Sequence, residues 1–586
     1  MCGIFAYLNN TVNDSIVSND ISNSKFMNKI EECFNKDKNR GPEKTTMTIH
    51  NNIFLGFHRL AINGLDNNSS QPLTHNNISL ICNGEIYNYK ELIRKIQKYK
   101  PSFKVNTNSD CEIVIHLYEM YGIEQTLKIL DGVFSFVLYD YRDEDKKSCY
   151  IARDPYGVRP LYQLKYCNNY VAVASTMKML NELILDDKYT ISQFTPSTYL
   201  KLNYVDSKEK WFYCYNKEYN IMPMITEFNY TETITLLDDN DYLNFKPDKY
   251  LENIRSYFTR AVEKRVDNTD RPIACLLSGG LDSSIVTSIV NKVLKQRFPD
   301  VTLETYSIGL KGGEDLYYAK KVAEFLGTKH NEIIFTEKDF LDAIPNVIYT
   351  VESYDTTTVR ASVGNYLVAK YISENSKAKV IFNGDGSDEL MGGYLYFQNA
   401  PDEIEFDKEC RRLLKNIHYF DGLRSDRSIS SNGLEPRTPF LDRSWVQYYL
   451  SIPTHIRFPK NNKECEKYLF RLAFDVKFSG EDYLPTEVLW RTKEAFSDGV
   501  SKQTRSWYEI INEHVSTKLD KKLYQKLMNF EKEKHNNPET LEQKYYRYIF
   551  NNHYKYCDKT IPYFWMPKYS DATDSSARTL KNYKKI

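Results

Sequence analysis

Apolar runs and polar breaks divide the chain into three stretches. Up to about residue 200, short apolar runs at 53–57, 79–82, 133–139 and 170–174 predict β-strands. Apolar residues at near-helical spacing over 89–99 and 111–120 predict helices. The mixture predicts a layered α+β domain over residues 2–204. Residues 205–247 are polar, rich in Asn, Asp and Tyr, and lack a sustained period, which predicts a linker or insertion with some local structure. From 248 the pattern changes. A helical stretch, 249–266, leads to a strand at 272–277, a Gly turn, a helix at 283–294, and further strands at 304–308 and 379–382 with helices between. Strand–helix–strand repetition predicts a parallel α/β sheet. The last hundred residues read as mainly helical, which makes 248–586 a second domain.

Composition narrows the function classes. Lys+Arg and Asp+Glu are both 78, so the formal charge is zero and no basic footprint for nucleic acid is expected. With 41% hydrophobic residues, the chain can bury cores and is too apolar for a disordered protein. The eleven cysteines form no CxxC pair, which argues against a disulfide framework and a structural zinc site. No apolar run of about 18 residues predicts a membrane span, and the first ten residues lack the basic and apolar regions of a signal peptide. The expected compartment is the cytoplasm.

Cys2 follows the initiator Met. Removal of Met1 would leave an α-amino group beside the Cys2 thiol. That amine, with an ordinary pKa near 7.7–8.0, can serve as the base that a thiol nucleophile needs. Asn83-Gly84-Glu85 follows a predicted strand, and a side-chain amide with a backbone N–H there can form an oxyanion hole. Arg59, within His58-Arg59-Leu60-Ala61-Ile62-Asn63, can pair with a carboxylate, and Asp110 can hold an ammonium. Taken singly, each has an ordinary reading as a turn or surface ion pair. Together with Arg40-Gly41-Pro42 and Arg153-Asp154-Pro155-Tyr156-Gly157-Val158-Arg159-Pro160, they resemble the class II glutamine amidotransferase domain of the N-terminal nucleophile hydrolases. The resemblance implies an α+β sandwich that hydrolyses glutamine. Cys2 would be the nucleophile and Asn83 and Gly84 the oxyanion hole. Glutamine would be bound by Arg59, Leu60, Ala61, Ile62, Asn63, Asn83, Gly84, Glu85 and Asp110.

In the second domain, Ser278-Gly279-Gly280-Leu281-Asp282-Ser283-Ser284 lies between a predicted strand and helix, where backbone N–H groups bind phosphate. No Gly-Lys-Ser/Thr follows, so it is not a Walker A loop. The motif is similar to the pyrophosphate loop of the α/β ATP pyrophosphatases. A second loop, Asn383-Gly384-Asp385-Gly386-Ser387-Asp388-Glu389, offers Asp388 as a further oxygen ligand for Mg²⁺. Lys493, in Trp490-Arg491-Thr492-Lys493, can neutralise phosphate charge. The hydroxyl-rich Thr356-Thr357-Thr358-Val359-Arg360 suits an amino-acid substrate.

In this order, with the N-terminal motifs, the chain resembles the glutamine-hydrolysing asparagine synthetases along nearly its full length. The resemblance implies ATP and Mg²⁺, with aspartate, glutamine and ATP as small-molecule partners. The aspartate carboxylate would attack the α-phosphate of ATP, giving β-aspartyl-AMP and diphosphate. Ammonia channelled from the Cys2 site would then displace AMP. It assigns ATP to Leu277, Ser278, Gly279, Gly280, Asp282, Ser283, Ser284, Ile308, Asn383 and Gly384. Metal goes to Asp282 and Asp388, adenylation to Asp385 and Lys493, and aspartate to Thr357, Thr358 and Arg360. Neither nucleic acid nor membrane is expected as partner, and a homodimer is expected because such relatives are often dimers.

Two departures stand out. Relatives typically carry Ser-Gly-Glu-Gly-Ser-Asp-Glu where this chain has Asn383 and Asp385. Asp is one methylene shorter than Glu, and a misplacement of roughly 1 Å can cost on the order of 100-fold in rate. The expectation is that the backbone compensates. The second is Glu435-Pro436-Arg437-Thr438-Pro439 in place of Glu-Ala-Arg-Val-Pro, read as structural. The competing readings are an amide ligase acting on another carboxylate, as in β-lactam synthetase-like relatives, and a catalytically impaired regulatory paralogue. Cys2 argues against the first, and the complete motif set against the second.

Overall fold

The computed structural model describes residues 1–9, 24–50, 52–219, 247–458, 465–492, 500–501, 505–530, 533–576 and 579–580, with 247–249 as backbone only. Lys493, residues 220–246 of the expected linker, and the tail residues Ala577 and Arg578 lie outside these.

The first third builds two six-stranded antiparallel sheets packed face to face. Gly3–Leu8 lies inside the first sheet, between Asn169–Ala174 and Ile53–Arg59. Alternation along this strand divides its side chains. Ile4, Ala6 and Leu8 join Leu55, Ile81, Val137 and Ile151 in the core between the sheets. Phe5 and Tyr7 point outward to the helix Ser24–Asn35, where Phe5 and Phe34 lie 5.9 Å apart. The second sheet runs from Lys210–Glu218 through Gly132–Asp140 and Ile78–Ile86 to the short edge strand Leu73–His75. Its outer face carries Leu80, Phe134, Phe136 and Leu138 against the helices Tyr89–Tyr99 and Ile113–Ile129. The result is four layers: helix, sheet, sheet, helices.

Predicted and observed elements agree in type, with shifted ends. The helix expected at 111–120 opens as a 3-10 turn, Asp110–Glu112, and continues to Ile129 past a kink at Gly122, where φ is 74°. Lys210–Glu218 pairs with Thr198–Val205 and is the local structure within the stretch read as a linker.

The second domain has a five-stranded parallel sheet in the order Lys329–Phe335, Glu304–Leu310, Ile273–Leu276, Val380–Phe382, Glu435–Arg437. Leu281–Arg297 follows the strand Ile273–Leu276, and Ser387–Met391 follows Val380–Phe382. Both turns therefore open at the carboxyl ends of adjacent strands, where open α/β sheets bind ligands. Beyond residue 403 the chain is mainly helical. Among the described residues, no helix is long and apolar enough to cross a membrane.

Candidate active site

Cys2 precedes the strand Gly3–Leu8, and its thiol lies 3.5 Å from the Leu60 carbonyl. Gly3 pairs with His58, which brings Arg59 and the 60–64 loop alongside. Burial pushes the Cys2 thiol up to about 11, although the nearby amine pulls it down. Burial also lowers the amine of Met1 to about 6. Asn83, on the strand Ile78–Ile86, is fully buried, and neither amide atom has a hydrogen-bond partner. A buried amide with no protein partner costs about 1–3 kcal/mol and has its hydrogen-bonding capacity open. Asp110 accepts the Ile86 N–H at 2.6 Å, and burial raises its carboxyl to about 6 despite that bond.

Arg59 spends three N–H groups on its own loop: the carbonyl of Asp66 at 2.7 Å, Ser70 at 3.0 Å and the carbonyl of Gly64. A guanidinium has five, so two remain for a carboxylate. The 61–64 segment is clamped by the other domain. Arg271 donates to the Ala61 carbonyl at 2.8 Å, Asp270 N–H to the Ile62 carbonyl at 2.9 Å, and Gly64 N–H to Asp270 at 2.9 Å. Glu85 accepts from Asn63 at 2.6 Å and Asn268 at 2.7 Å. Sequence reasoning did not find 268–271, because nothing local marks them.

The second site is a cavity of about 170 Å³ bordered by Leu277, Ser278, Gly280, Asp282, Ser283, Ile308, Asn383, Gly384, Asp385 and Asp388. Gly279 and Ser284 stand behind this lining. Gly279 has φ +72°, and a Cβ on it would lie 2.4 Å from Ala319 N. A Cβ on Gly384 would lie 2.8 Å from Ser283 N, so glycine lets the two loops meet. Ser387 ties them by donating to Asp282 at 2.6 Å. Asp385, the shorter carboxylate, is gripped by Arg424 at 2.7 Å and Asn383 at 2.9 Å. Asn383, the other departure in this loop, also donates to Ser425 at 2.7 Å.

Lys467 was not singled out from the sequence. Its ammonium is buried, 2.6 Å from Asp282, and also pairs with Asp388. Only the fold reveals it, since 185 residues separate it from Asp282.

The aspartate pocket expected from 357–360 is only partly assembled. Thr357 borders the cavity with a buried hydroxyl that has no partner. Thr358 instead bonds Asp355 at 2.7 Å as part of the helix N-cap. Arg360 points elsewhere: its guanidinium pairs with Glu542 and with Asp574 of the tail at 2.7 Å, and lies over the Tyr508 ring. A guanidinium already paired with two buried carboxylates has no charge to offer a substrate.

The two sites share one frame. Arg40 donates to the Cys2 carbonyl at 3.2 Å and to Asp426 at 2.7 Å. Asp426 lies on the helix Asp421–Ser430, whose Arg424 and Ser425 hold Asp385 and Asn383. A small cavity lined by Val158, Asp385, Gly386, Ser425 and Asp426 lies between the domains.

A four-layered sandwich with a cysteine at its second residue, joined to a parallel-sheet domain with a phosphate loop, defines a two-site, glutamine-using synthetase class. The comparisons with known proteins agree. Residues 1–226 match the glutamine amidotransferase domain family, and residues 253–406 and 398–560 match the asparagine synthase family. The glutamine-hydrolysing asparagine synthetase of Cricetulus griseus is 38% identical over 597 residues, covering 100% of this chain and 99% of that protein. That of Gallus gallus is 40% identical over 564 residues, covering 94% and 95%. That of Homo sapiens is 38% identical over 599 residues, covering 100% and 99%. The chain belongs to the glutamine-hydrolysing asparagine synthetase family, the ATP-dependent carbon–nitrogen ligases.

Proposed function

We propose that this chain makes asparagine from aspartate, using ATP and the amide nitrogen of glutamine. In the first site, Met1 is removed and the freed Cys2 amine accepts the thiol proton. Sulfur attacks the glutamine carboxamide carbon, Asn83 and Gly84 stabilise the oxyanion, and ammonia leaves. Water then releases glutamate. Arg59 takes the α-carboxylate with its two remaining N–H groups, and Asp110 the ammonium. The unpartnered Asn83 amide supports this reading.

In the second site, the 278–284 turn takes diphosphate oxygens on backbone N–H groups and Thr357 offers a hydroxyl to aspartate. Asp282 and Asp388 fit Mg²⁺, since both already turn oxygens toward one cation, the ammonium of Lys467. Bound there, Mg²⁺ would screen phosphate charge. Lys467 is then free to turn toward the phosphates, with Lys493 as the second cation. Arg424 and Asn383 keep Asp385 fixed at the cavity wall, which offsets its missing methylene. A first domain that runs past 204 to include the strand Lys210–Glu218, a second over 248–586, a cytoplasmic location and a homodimeric assembly complete the proposal on the family resemblance.

The observation that carries the reading is the frame from the Cys2 carbonyl through Arg40 and Asp426 to the helix that holds Asp385. It supports reading the two half-reactions as coupled. Purified protein with Mg-ATP and aspartate, given glutamine or ammonium, tests it by mass spectrometry. Asparagine, AMP and diphosphate in equal amounts from both nitrogen sources are expected. Glutamate without AMP, and no asparagine from ammonium, would refute it.

A further inference from the structure

Away from both sites, the hairpin joining Leu73–His75 to Ile78–Ile86 meets the helix Ile113–Ile129. There His75, His116 and Glu119 each present one ligand atom within 4.8 Å of the other two. Among the described residues this is the one such group of three. His116 is nearly fully buried, while the His75 and Glu119 side chains are 31% and 29% exposed.

Each of the three has a further partner that fixes its direction. His116 Nε2 lies 3.1 Å from Glu112 Oε1. Glu112 also accepts the N–H groups of Asn106 and Thr107, both at 2.7 Å, and the Thr107 hydroxyl at 2.6 Å. Glu112 thus engages the Nε2 side of the His116 ring, and Nδ1 is the nitrogen a metal would use. Glu119 Oε1 accepts from Asn76 at 2.8 Å, which leaves Oε2 facing His75 Nε2 across 3.8 Å. The other nitrogen of His75 lies 3.4 Å from the Asn106 amide. Metal-binding histidines and carboxylates are oriented by outer partners of this kind.

The 3.8 Å separation is too long for a hydrogen bond. It suits two ligands sharing an ion: donors about 2.1 Å from zinc at the tetrahedral angle lie roughly 3.4 Å apart. All three ligand atoms lie within 4.8 Å of one another, so side-chain movements of up to roughly 1.4 Å would bring them to ligand spacing. As a plain ion pair at this exposure, His75 and Glu119 would contribute little. The geometry points to a divalent transition-metal site of the zinc class, with His75, His116 and Glu119 as three ligands and water as the fourth. Two imidazoles and one carboxylate select zinc-class ions over magnesium or calcium. The ion would pin the edge hairpin of the second sheet to the helix that follows Asp110.

Eleven free cysteines are the rival ligands, so cobalt is the first probe. Full-length protein stripped with chelator is titrated with Co²⁺, then Zn²⁺. One Co²⁺ per chain with the strong visible d–d bands of four-coordinate geometry is expected, distinct from the weak bands of any Co²⁺ on Asp282 and Asp388, and with no intense near-ultraviolet thiolate band. Zn²⁺ should displace it and raise the melting temperature. His75→Ala and Glu119→Gln, both at partly exposed positions, should each weaken binding by at least about tenfold and abolish the thermal shift. Absence of bound cobalt, a thiolate band, or binding unchanged in both variants would overturn the assignment.

Discussion

Asn83→Ala separates a chemical role from a structural one. The Asn83 amide is fully buried, and both its polar atoms lack partners. In the folded, substrate-free protein it therefore costs stability: about 1–3 kcal/mol for each unsatisfied group. Removing the carboxamide relieves that cost and leaves a small void, which opposes the gain by roughly 1–2 kcal/mol. The net prediction is a melting temperature that does not fall. Loss of an oxyanion-hole donor raises the barrier by about 2.7–4 kcal/mol, or 10²–10³ in kcat. Glutaminase and glutamine-dependent asparagine synthesis should both fall by that factor, while ammonia-dependent synthesis stays within about twofold, since the second site is untouched. The assay is glutamate and asparagine release at saturating substrate, beside a thermal melt. Activity retained within tenfold, or a clear loss of stability, would rule out an oxyanion role for Asn83.

Three further outcomes follow from the ion pairs and buried charges. Asp110 has its carboxyl raised from 3.8 to about 6 by burial. The folded state therefore binds more protons than the unfolded state between those values, and stability falls as pH rises through that window. Asp110→Asn should recover up to about 3 kcal/mol above pH 7, read by denaturant melts, while raising the glutamine KM about 10–100-fold; in the native enzyme that KM should rise as pH drops below about 6. Arg360→Met strands Glu542 and Asp574 and should cost about 3–5 kcal/mol, yet leave the aspartate KM of the folded enzyme unchanged; a large KM effect would restore Arg360 to the pocket. Lys467→Met removes the cation between Asp282 and Asp388, so Mn²⁺, followed by electron paramagnetic resonance, should bind the ATP-free enzyme more tightly, and weaker binding would contradict that arrangement.

Much of the site was legible in the sequence because its chemistry sits on contiguous turns. The 278–284 and 383–389 loops each carry their glycines and carboxylates within seven residues, and both occur where strands end. Cys2, Asn83 and Asp110 were legible from residue type and order. What escaped comes from long-range packing. Lys467, Arg424 and the 268–271 clamp have ordinary sequence surroundings, and only the fold carries them to the sites. Arg360 shows the same limit: a hydroxyl-rich helix start suggests a substrate pocket, and the sequence gives no sign that the tail residue Asp574 engages the guanidinium. The strand Gly3–Leu8 is buried on both faces, so it lacks the alternation that marks half-buried strands.

We propose that ammonia made at Cys2 is consumed at the Asp385 site without leaving the protein. The direct measurement supplies amide-¹⁵N glutamine with aspartate and Mg-ATP in the presence of excess unlabelled ammonium, and reads the isotope in asparagine. Channelling predicts asparagine labelled nearly as heavily as the glutamine amide. Label diluted to the proportion of the bulk ammonium pool would contradict the account.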